Sequence, residues 1–393
     1  MKKVLILGST GSIGKAALEI AGAGIGDIEI VGLAAGRNVD LLEKQLINFP
    51  KARFTVRDDD ILPGLLSSQE SFAGRLVGTG SSGIENMIRE TDPDLVVNAL
   101  VGIAGLMPTI TSLECGCSVA LANKESLVTG GGLVMGMAGK DGERIIPVDS
   151  EHFSLSRCLS GNRDKTTELV LTASGGPFFK RDPKTLADVT LEQVLAHPTW
   201  NMGKKVTVDS AHMVNKGLEV IEAHWLFNFP IDDIKVVIHP QSIVHSLIRM
   251  RDGSLLAHLS PPDMRLPIMN AFFFPEVREF PWNELSFDEL CSLEFHPLER
   301  GRFRGFELTV EAMRTGGSAP VVLNAADEMA VSNFLSGRIG FLTIIEWIEE
   351  ALSAHSPAII ESVGDVLEAD RWTKEFLLDK YGGIEGVTEE TCY

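Results

Sequence analysis

The chain has 393 residues, 44% of them apolar, enough for two or three domains with sizeable cores, and its composition excludes a disordered or low-complexity protein. Its formal net charge of −19, from 54 acidic and 35 basic residues, repels phosphate-rich polymers and excludes nucleic acid as the expected partner. No apolar stretch reaches membrane-spanning length, no leader peptide is evident, and five scattered cysteines read as free thiols, so a cytoplasmic protein without a membrane partner is expected.

In chain order, Val4 to Leu7, Ile28 to Leu33, Leu95 to Leu100 and Ser118 to Ala122 are short runs rich in Val, Ile and Leu, which predict buried strands. Ser12 to Ala23 and Val39 to Asn48 carry helical spacing between them. This alternation predicts a Rossmann-like parallel sheet covered by helices over residues 1–150. A last strand, Arg144 to Val148, leads into Asp149. Residues 151–290 then read as a central α+β catalytic domain. Its strands are Glu168 to Ala173, Ile234 to Ile238, Ile243 to Met250 and Ser254 to Leu259, around one helix, His212 to Phe227. Arg251-Asp252-Gly253 predicts a hairpin turn. Val206 to Ala211 reads as a strand-like lead-in to that helix. Phe274 to Arg304 holds several prolines and mixed signals, with 291–304 as the linker proper. Residues 305–393 predict a helical domain built on Phe306 to Arg314, Ala319 to Leu335 and Thr343 to Ser353. The class is therefore α/β, with three parts.

Gly8 to Gly14 places three glycines at i, i+3 and i+6, between the first strand and the first helix. Such a turn lets backbone approach a pyrophosphate, and the helix N-terminus faces the anion; the alternative is a tight turn without a ligand. The second strand ends in Gly36-Arg37-Asn38, with no acid where an NAD enzyme grips a ribose 2′-hydroxyl. Arg37 instead offers a guanidinium to a 2′-phosphate, which favours NADPH, unless it is a solvated loop charge. Asn123-Lys124-Glu125 follows another strand and either faces the ligand crevice or is a charge pair at a helix start.

Asp149 and Glu151 flank Ser150. In extended backbone residues i and i+2 point the same way, so both carboxylates are expected to converge on a hard cation. Asn215, Glu219 and Glu222 form a polar stripe at helical spacing beside the apolar stripe Val214, Leu218, Ile221 and Trp225. A polar stripe is either a solvated face or the wall of a site. Ser174-Gly175-Gly176-Pro177 follows a strand and offers N–H groups to a phosphate, for which Ser174, Ser210, Asn215 and Lys216 are candidate contacts. His197 to Gly203, within a loop near 194–204, has lid chemistry, with Trp200 able to exclude water.

These segments carry a resemblance. GSTGSIG at 8–14, ANKES at 122–126, VDSEH at 148–152, SGGPF at 174–178, HPTWNMG at 197–203, DSAHMVNKGLEVIEA at 209–223 and HPQSIVHS at 239–246 resemble, in order, the 1-deoxy-D-xylulose 5-phosphate reductoisomerases. The resemblance implies NADPH-dependent isomerisation and reduction of that sugar phosphate to 2-C-methyl-D-erythritol 4-phosphate, in non-mevalonate isoprenoid synthesis. It implies a divalent cation (Mg²⁺, Mn²⁺ or Co²⁺) on Asp149, Glu151 and Glu219. It assigns Lys124, Ser150, Glu151, Ser174, His197, Ser210, Asn215, Lys216 and Glu219 to the substrate, with Lys124, Glu151 and His197 as the catalytic set. It places Thr10, Gly11, Ser12, Ile13, Gly36, Arg37, Asn38, Asn123, Glu125 and Gly203 around NADPH. It implies a homodimer, and leaves Glu222 and His245 without roles. Beyond residue 300 it rests on helical character and on short pieces such as LNAADE at 323–328. The runner-up is another NADP- and metal-dependent oxidoreductase of a small phosphorylated carbonyl compound.

Overall fold

The computed structural model describes residues 1–382 except Asn201, Glu289, Cys291 and Arg300, so residues 383–393 of the expected helical domain lie outside the described residues. The first layer alternates strand and helix: β1 Lys2–Leu7, α1 Ser12–Gly22, β2 Ile28–Ala35, α2 Val39–Asn48, β3 Arg53–Val56, α3 Leu62–Ser68, β4 Leu76–Thr79, α4 Gly80–Thr91, β5 Leu95–Asn98, α5 Leu106–Glu114, β6 Ser118–Leu121, α6 Glu125–Met137 and β7 Ile145–Pro147. Its sheet is parallel throughout, in the order β4-β3-β2-β1-β5-β6-β7. Val4, Leu5, Ile6 and Leu7 are wholly buried because helices cover both faces of β1. The strand order reverses beside β1, and that opens a crevice at the carboxyl ends of β1 and β5. β3 and β4 escaped the sequence reading; each has four residues, and Arg53 or Gly78 interrupts the apolar run.

The second unit begins at α7 Ser150–Leu159 and continues with β8 Thr166–Ala173, α8 Leu191–Leu195, α9 Lys204–Ala211, α10 Val214–Phe227, β9 Ile234–Ile238, β10 Val244–Met250 and β11 Leu255–Leu259. With β12, His296–Pro297, these strands form a mixed sheet in the order β11-β10-β8-β9-β12. The hairpin at Arg251 to Gly253 is present, closed by Met250 N–H donating to the Ser254 carbonyl at 2.8 Å.

Two local expectations are corrected. Val206 to Ala211 is not strand-like but lies in helix α9, with Thr207, Val208, Asp209, Ser210 and Ala211 buried. Valine and threonine favour strands only weakly, and packing beneath α10 and the C-terminal helices overrides that preference. Asp149-Ser150-Glu151 is not extended either: Asp149 is the N-cap residue of α7 and Glu151 sits in its first turn. Their carboxylates therefore reach the crevice from a helix N-terminus, where the exposed N–H groups favour negative charge.

Between β11 and β12 the chain returns to the first sheet as α11, Arg265–Phe273. Ile268, Met269, Ala271 and Phe272 join the core that holds Val4 and Ile6. Apart from Arg265 at its start and the buried Asn270, this helix is apolar, so it has no polar face from which to read a period. The C-terminal part comprises α12 Arg304–Thr315, α13 Ala319–Leu335, α14 Thr343–Ala354 and α15 Val363–Tyr381. Its core around Phe341, Ile344, Trp347 and Ile348 takes in Val214, Leu218 and Ile221, the apolar stripe of α10.

His212, between α9 and α10, stacks on Phe341 and bonds its carbonyl at 2.9 Å through Nε2. Burial pushes its pKa down to about 3. Above pH 6.5 the imidazole is neutral in the folded and unfolded chains alike, and its contribution is complete. As the pH falls below 6.5, the unfolded chain takes a proton that the folded one refuses. Stability from this residue is then lost by up to about 1.4 kcal/mol per pH unit. Denaturant titrations between pH 7 and 5 should show a shallower decline in His212→Gln than in wild type.

Candidate active site

At the nucleotide end, Gly11 is the N-cap of α1, and the turn from Gly8 to Gly14 folds back on itself. A Cβ at Gly14 would stand 2.3 Å from the Gly8 carbonyl oxygen, so only glycine lets the helix start there. The first turn of any helix leaves N–H groups free for an anion. Thr10, Gly11, Ser12 and Ile13 lie on this turn. Gln45 donates to the Ser9 carbonyl at 2.8 Å and pins the turn from behind. Gly36, Arg37 and Asn38 lie at the end of β2. Asn38 caps α2 by accepting from Leu41 N–H at 3.2 Å. Arg37 Nε pairs with Asp58 at 3.0 Å, and its side chain is 53% exposed, a position from which it can face a phosphate. Arg57, at the end of β3, also reaches Asp58, at 3.5 Å, and escaped the sequence reading. Asn123 is wholly buried: its amide donates to the Leu100 and Gly102 carbonyls and to Glu125, so its side chain ties two crevice loops together.

A cavity of about 460 Å³ opens beside this turn. Ser12 and Ile13 line one end; Lys124, Asp149, Ser150, Glu151, Asn215, Lys216 and Glu219 line another. Ser174, His197, Ser210 and Gly203 complete the wall. Every residue expected to touch substrate or metal is therefore brought into one space. The polar stripe on α10 is no solvated face, since Glu219 and Glu222 are 2% and 1% exposed.

Two lysines hold these carboxylates together. Lys124 Nζ lies 2.5 Å from Asp149, 2.9 Å from the Asn215 amide oxygen and 3.4 Å from Glu219. Lys216 Nζ lies 2.7 Å from Glu151 and also bonds Glu219, whose other oxygen accepts from Asn215. Burial would push Glu151 up, but Lys216 and then His245 hold it down to about 2. Burial and the neighbouring Glu151 push Glu219 up to about 7. Burial and Asp149 raise Glu222 as well. Burial alone would neutralise Lys124, yet Asp149 and Glu219 keep it charged.

Three carboxylates of the cavity wall (Asp149, Glu151 and Glu219) thus face two ammonium groups, a deficit of one positive charge when all three are ionised, with Glu222 buried outside that lining. An all-oxygen donor set with that deficit fits a hard divalent cation. Among the described residues, Asp149, His152 and Glu222 bring three ligand atoms within 4.8 Å of one another. His152 was not singled out in the sequence. Its Nε2 lies 2.8 Å from the Glu219 carbonyl oxygen and its Nδ1 3.3 Å from Glu222, so it braces α7 against α10 from behind the cavity.

In the Ser174-to-Pro177 segment, Gly176 takes φ +68°, and a Cβ there would stand 2.7 Å from the Ser210 carbonyl oxygen. The turn after β8 can therefore press on the end of α9. Thr199 and Trp200 N–H groups donate to His197 Nδ1 at 3.2 and 2.9 Å. That ring nitrogen is the acceptor, so Nε2 carries the proton and donates to Ser174 Oγ at 3.0 Å. His197 thus sets the shape of the loop near 194–204 and joins it to the Ser174 turn, while the Trp200 ring centroid lies 6.1 Å from that of His245. Asn201, inside the HPTWNMG segment, lies outside the described residues. Thr199, Met202 and Met213, inside the segments that carry the resemblance, also line the cavity, as do Pro262, Asp263 and Met264, which had no sequence signal.

Comparison with known proteins agrees over the whole length. Models described as 1-deoxy-D-xylulose 5-phosphate reductoisomerase match residues 4–131, its C-terminal domain matches 145–227, and a DXP reductoisomerase C-terminal domain matches 259–376. The 1-deoxy-D-xylulose 5-phosphate reductoisomerase of Caldanaerobacter subterraneus subsp. tengcongensis is 44% identical, covering 97% of this chain and 100% of its own. That of Thermoanaerobacter sp. strain X514 is 45% identical with the same coverage. The Zymomonas mobilis enzyme solved in complex with NADPH is 35% identical, with a TM-score of 0.86 over 97% of this chain and 99% of that one. A reductoisomerase solved with NADPH, fosmidomycin and magnesium is 33% identical, with a TM-score of 0.89 over 97% and 100%. With relatives of this identity matched from end to end, and one fold shared by all, the chain belongs to the 1-deoxy-D-xylulose 5-phosphate reductoisomerase family.

Proposed function

We propose that this chain converts 1-deoxy-D-xylulose 5-phosphate to 2-C-methyl-D-erythritol 4-phosphate, consuming NADPH and requiring a divalent cation, in non-mevalonate isoprenoid synthesis. The observation that carries this is the single cavity running from Ser12 and Ile13 to Asp149, Glu151 and Glu219. Cofactor turn and carboxylate wall share one space, as hydride delivery to a metal-held carbonyl requires.

Asp149, Glu151 and Glu219 would hold the cation, which supplies Lewis acidity toward the ketone and its neighbouring hydroxyl, while NADPH supplies hydride. Ser174, Ser210, Asn215 and Lys216 face the phosphate, whose binding orients carbons remote from it. His197 and Trp200 close the loop near 194–204 and exclude water. Lys124 Nζ and the Glu151 carboxylate are the groups placed to hold or move a proton. Residues 1–150, 151–290 and 305–393 serve as cofactor, catalytic and helical parts. A cytoplasmic homodimer belongs to the same reading, supported by free Cys115, Cys117 and Cys158 and by exposed Leu255 and Leu256 on the edge strand β11. No helix among the described residues is long and apolar enough to cross a membrane.

NADPH absorbance should fall when the sugar phosphate and Mg²⁺ are added together, and should stay constant with a chelator. Constant absorbance with both present would sink the proposal. Mn²⁺ is expected to restore the chelated enzyme. In the same assay Arg37→Ala should raise the Michaelis constant for NADPH about tenfold, the size of a lost charge-assisted contact, and leave NADH nearly unchanged. Equal shifts for both nucleotides would remove Arg37 from 2′-phosphate recognition.

A further inference from the structure

Asn324, Asp327 and Glu328 belong to the LNAADE segment on α13, and the proposed chemistry leaves them unused. They are 0%, 1% and 4% exposed, in a helix whose other buried side chains are apolar except Asn333. Interior carboxylates are costly, and apolar replacements of buried ion pairs are often neutral or stabilising. Stability alone therefore gives no reason for two of them in succession. Among the described residues, none beyond Met264 lines the cavity, so α13 does not touch the ligands directly.

Their partners lie on the two sides of the cavity. Asp327 pairs with Lys205 Nζ at 2.6 Å, and Lys205 also holds Asp209 at 2.7 Å. Lys205 sits in the first turn of α9, two residues after Gly203 ends the lid loop, and the last turn of α9 holds the cavity-lining Ser210. Glu328 accepts from the Ile103 N–H at 2.9 Å and from the Asn324 amide at 2.8 Å. Ile103 lies in the turn Gly102–Gly105 that follows β5, at the carboxyl edge of the first sheet where a dinucleotide is expected. Asn123 holds the same turn from the other side, through the Leu100 and Gly102 carbonyls.

We propose that Asp327 and Glu328 are positioning residues for the reductoisomerase reaction, Asp327 setting the lid-side helix through Lys205 and Glu328 setting the cofactor-side turn through Ile103. The C-terminal helices thereby fix the distance between the two halves of the cavity without contributing to its wall. Burial raises Glu328 to about 7, so a neutral amide is a fair substitute for it. The proposal rests on the reading of the cavity given above.

The test uses the full chain. Asp327→Asn should raise the Michaelis constant for the sugar phosphate about tenfold, as loss of an outer partner does elsewhere, with the dissociation constant for NADPH, followed by its fluorescence, within about twofold. Glu328→Leu should weaken NADPH by about tenfold, and Glu328→Gln, which keeps an acceptor for Ile103, should recover most of it. Hydrogen exchange in the ligand-free protein should quicken around 197–205 in the first variant and around 100–105 in Glu328→Leu. If Asp327→Asn does not fold, Lys205→Met should give the same lid-side signature. Exchange that quickens across α13 and α14, with both ligands weakened alike, would overturn the proposal, and so would unchanged exchange with unchanged constants. Should the wild-type protein fail to oxidise NADPH with the sugar phosphate, the earlier reading fails, while the exchange pattern still decides this one.

Discussion

Glu219→Gln is expected to lower turnover by about a thousandfold, close to 4 kcal/mol of transition-state stabilisation, and to weaken Mg²⁺ binding measured by calorimetry. Glu219 is the one carboxylate that touches both lysines and Asn215. An amide has one acceptor oxygen, so its N–H₂ group would have to face an ammonium or the Asn215 donor. It also removes a donor from the cation site. The effect on stability should depend on pH. The folded-state pKa of Glu219 is raised from 4.5 to about 7. Its contribution to stability is complete below pH 4.5 and is lost as the pH rises through about 7, where the folded protein must carry an unwelcome charge. In a chelator the stability lost by the variant, read from its urea midpoint, should therefore be smaller at about pH 8 than at about pH 5. Turnover within about tenfold of wild type would remove Glu219 from the cation site.

Much of this was legible in the sequence, and the failures have local causes. β1 and β2, Ser12 to Gly22 and Val39 to Asn48 were readable because one period dominates each segment. α11 was not, because a helix buried on all sides has no polar face to mark its period. α9 was misread because Val206, Thr207 and Val208 speak for a strand while their neighbours in space decide for a helix. The carboxylate wall was legible as two halves, Asp149-Ser150-Glu151 and the α10 stripe. That the halves meet depends on α7 and α10 packing together, which local pattern does not encode. His152 was hidden, and Glu222, read as part of the stripe, was left without a role, for the same reason: a pair between two helices leaves no mark on either one. The i, i+2 geometry assumed for Asp149 and Glu151 was wrong. Both carboxylates still reach the cavity, because an N-cap residue and a first-turn residue can face the same crevice.

Lys124→Met should separate the lysine's two electrostatic roles. In the ligand-free chain Lys124 is 6% exposed and its ammonium neutralises Asp149 and Glu219. Methionine keeps the length of the stem but leaves those carboxylates uncompensated, and removing one partner of a buried pair costs about 3–5 kcal/mol. The variant should lose stability on that order in a chelator near neutral pH. Mg²⁺ should restore more stability to it than to wild type, because ligand-linked stabilisation grows with affinity and the lysine no longer competes for Asp149. Turnover should nevertheless fall by about a thousandfold, since no ammonium remains at the junction of Asp149, Asn215 and Glu219 to hold a proton or a developing negative charge. Lys124→Arg should not rescue it, as a planar guanidinium cannot occupy a point-charge site walled by three partners. Thermal unfolding with and without Mg²⁺, set beside turnover, distinguishes the outcomes. If Mg²⁺ stabilises the methionine variant less than wild type, the ammonium organises the carboxylates for the cation. Its charge would then belong to the architecture of the site, and the proton would have to be carried by another group, with Glu151 a candidate on the same wall.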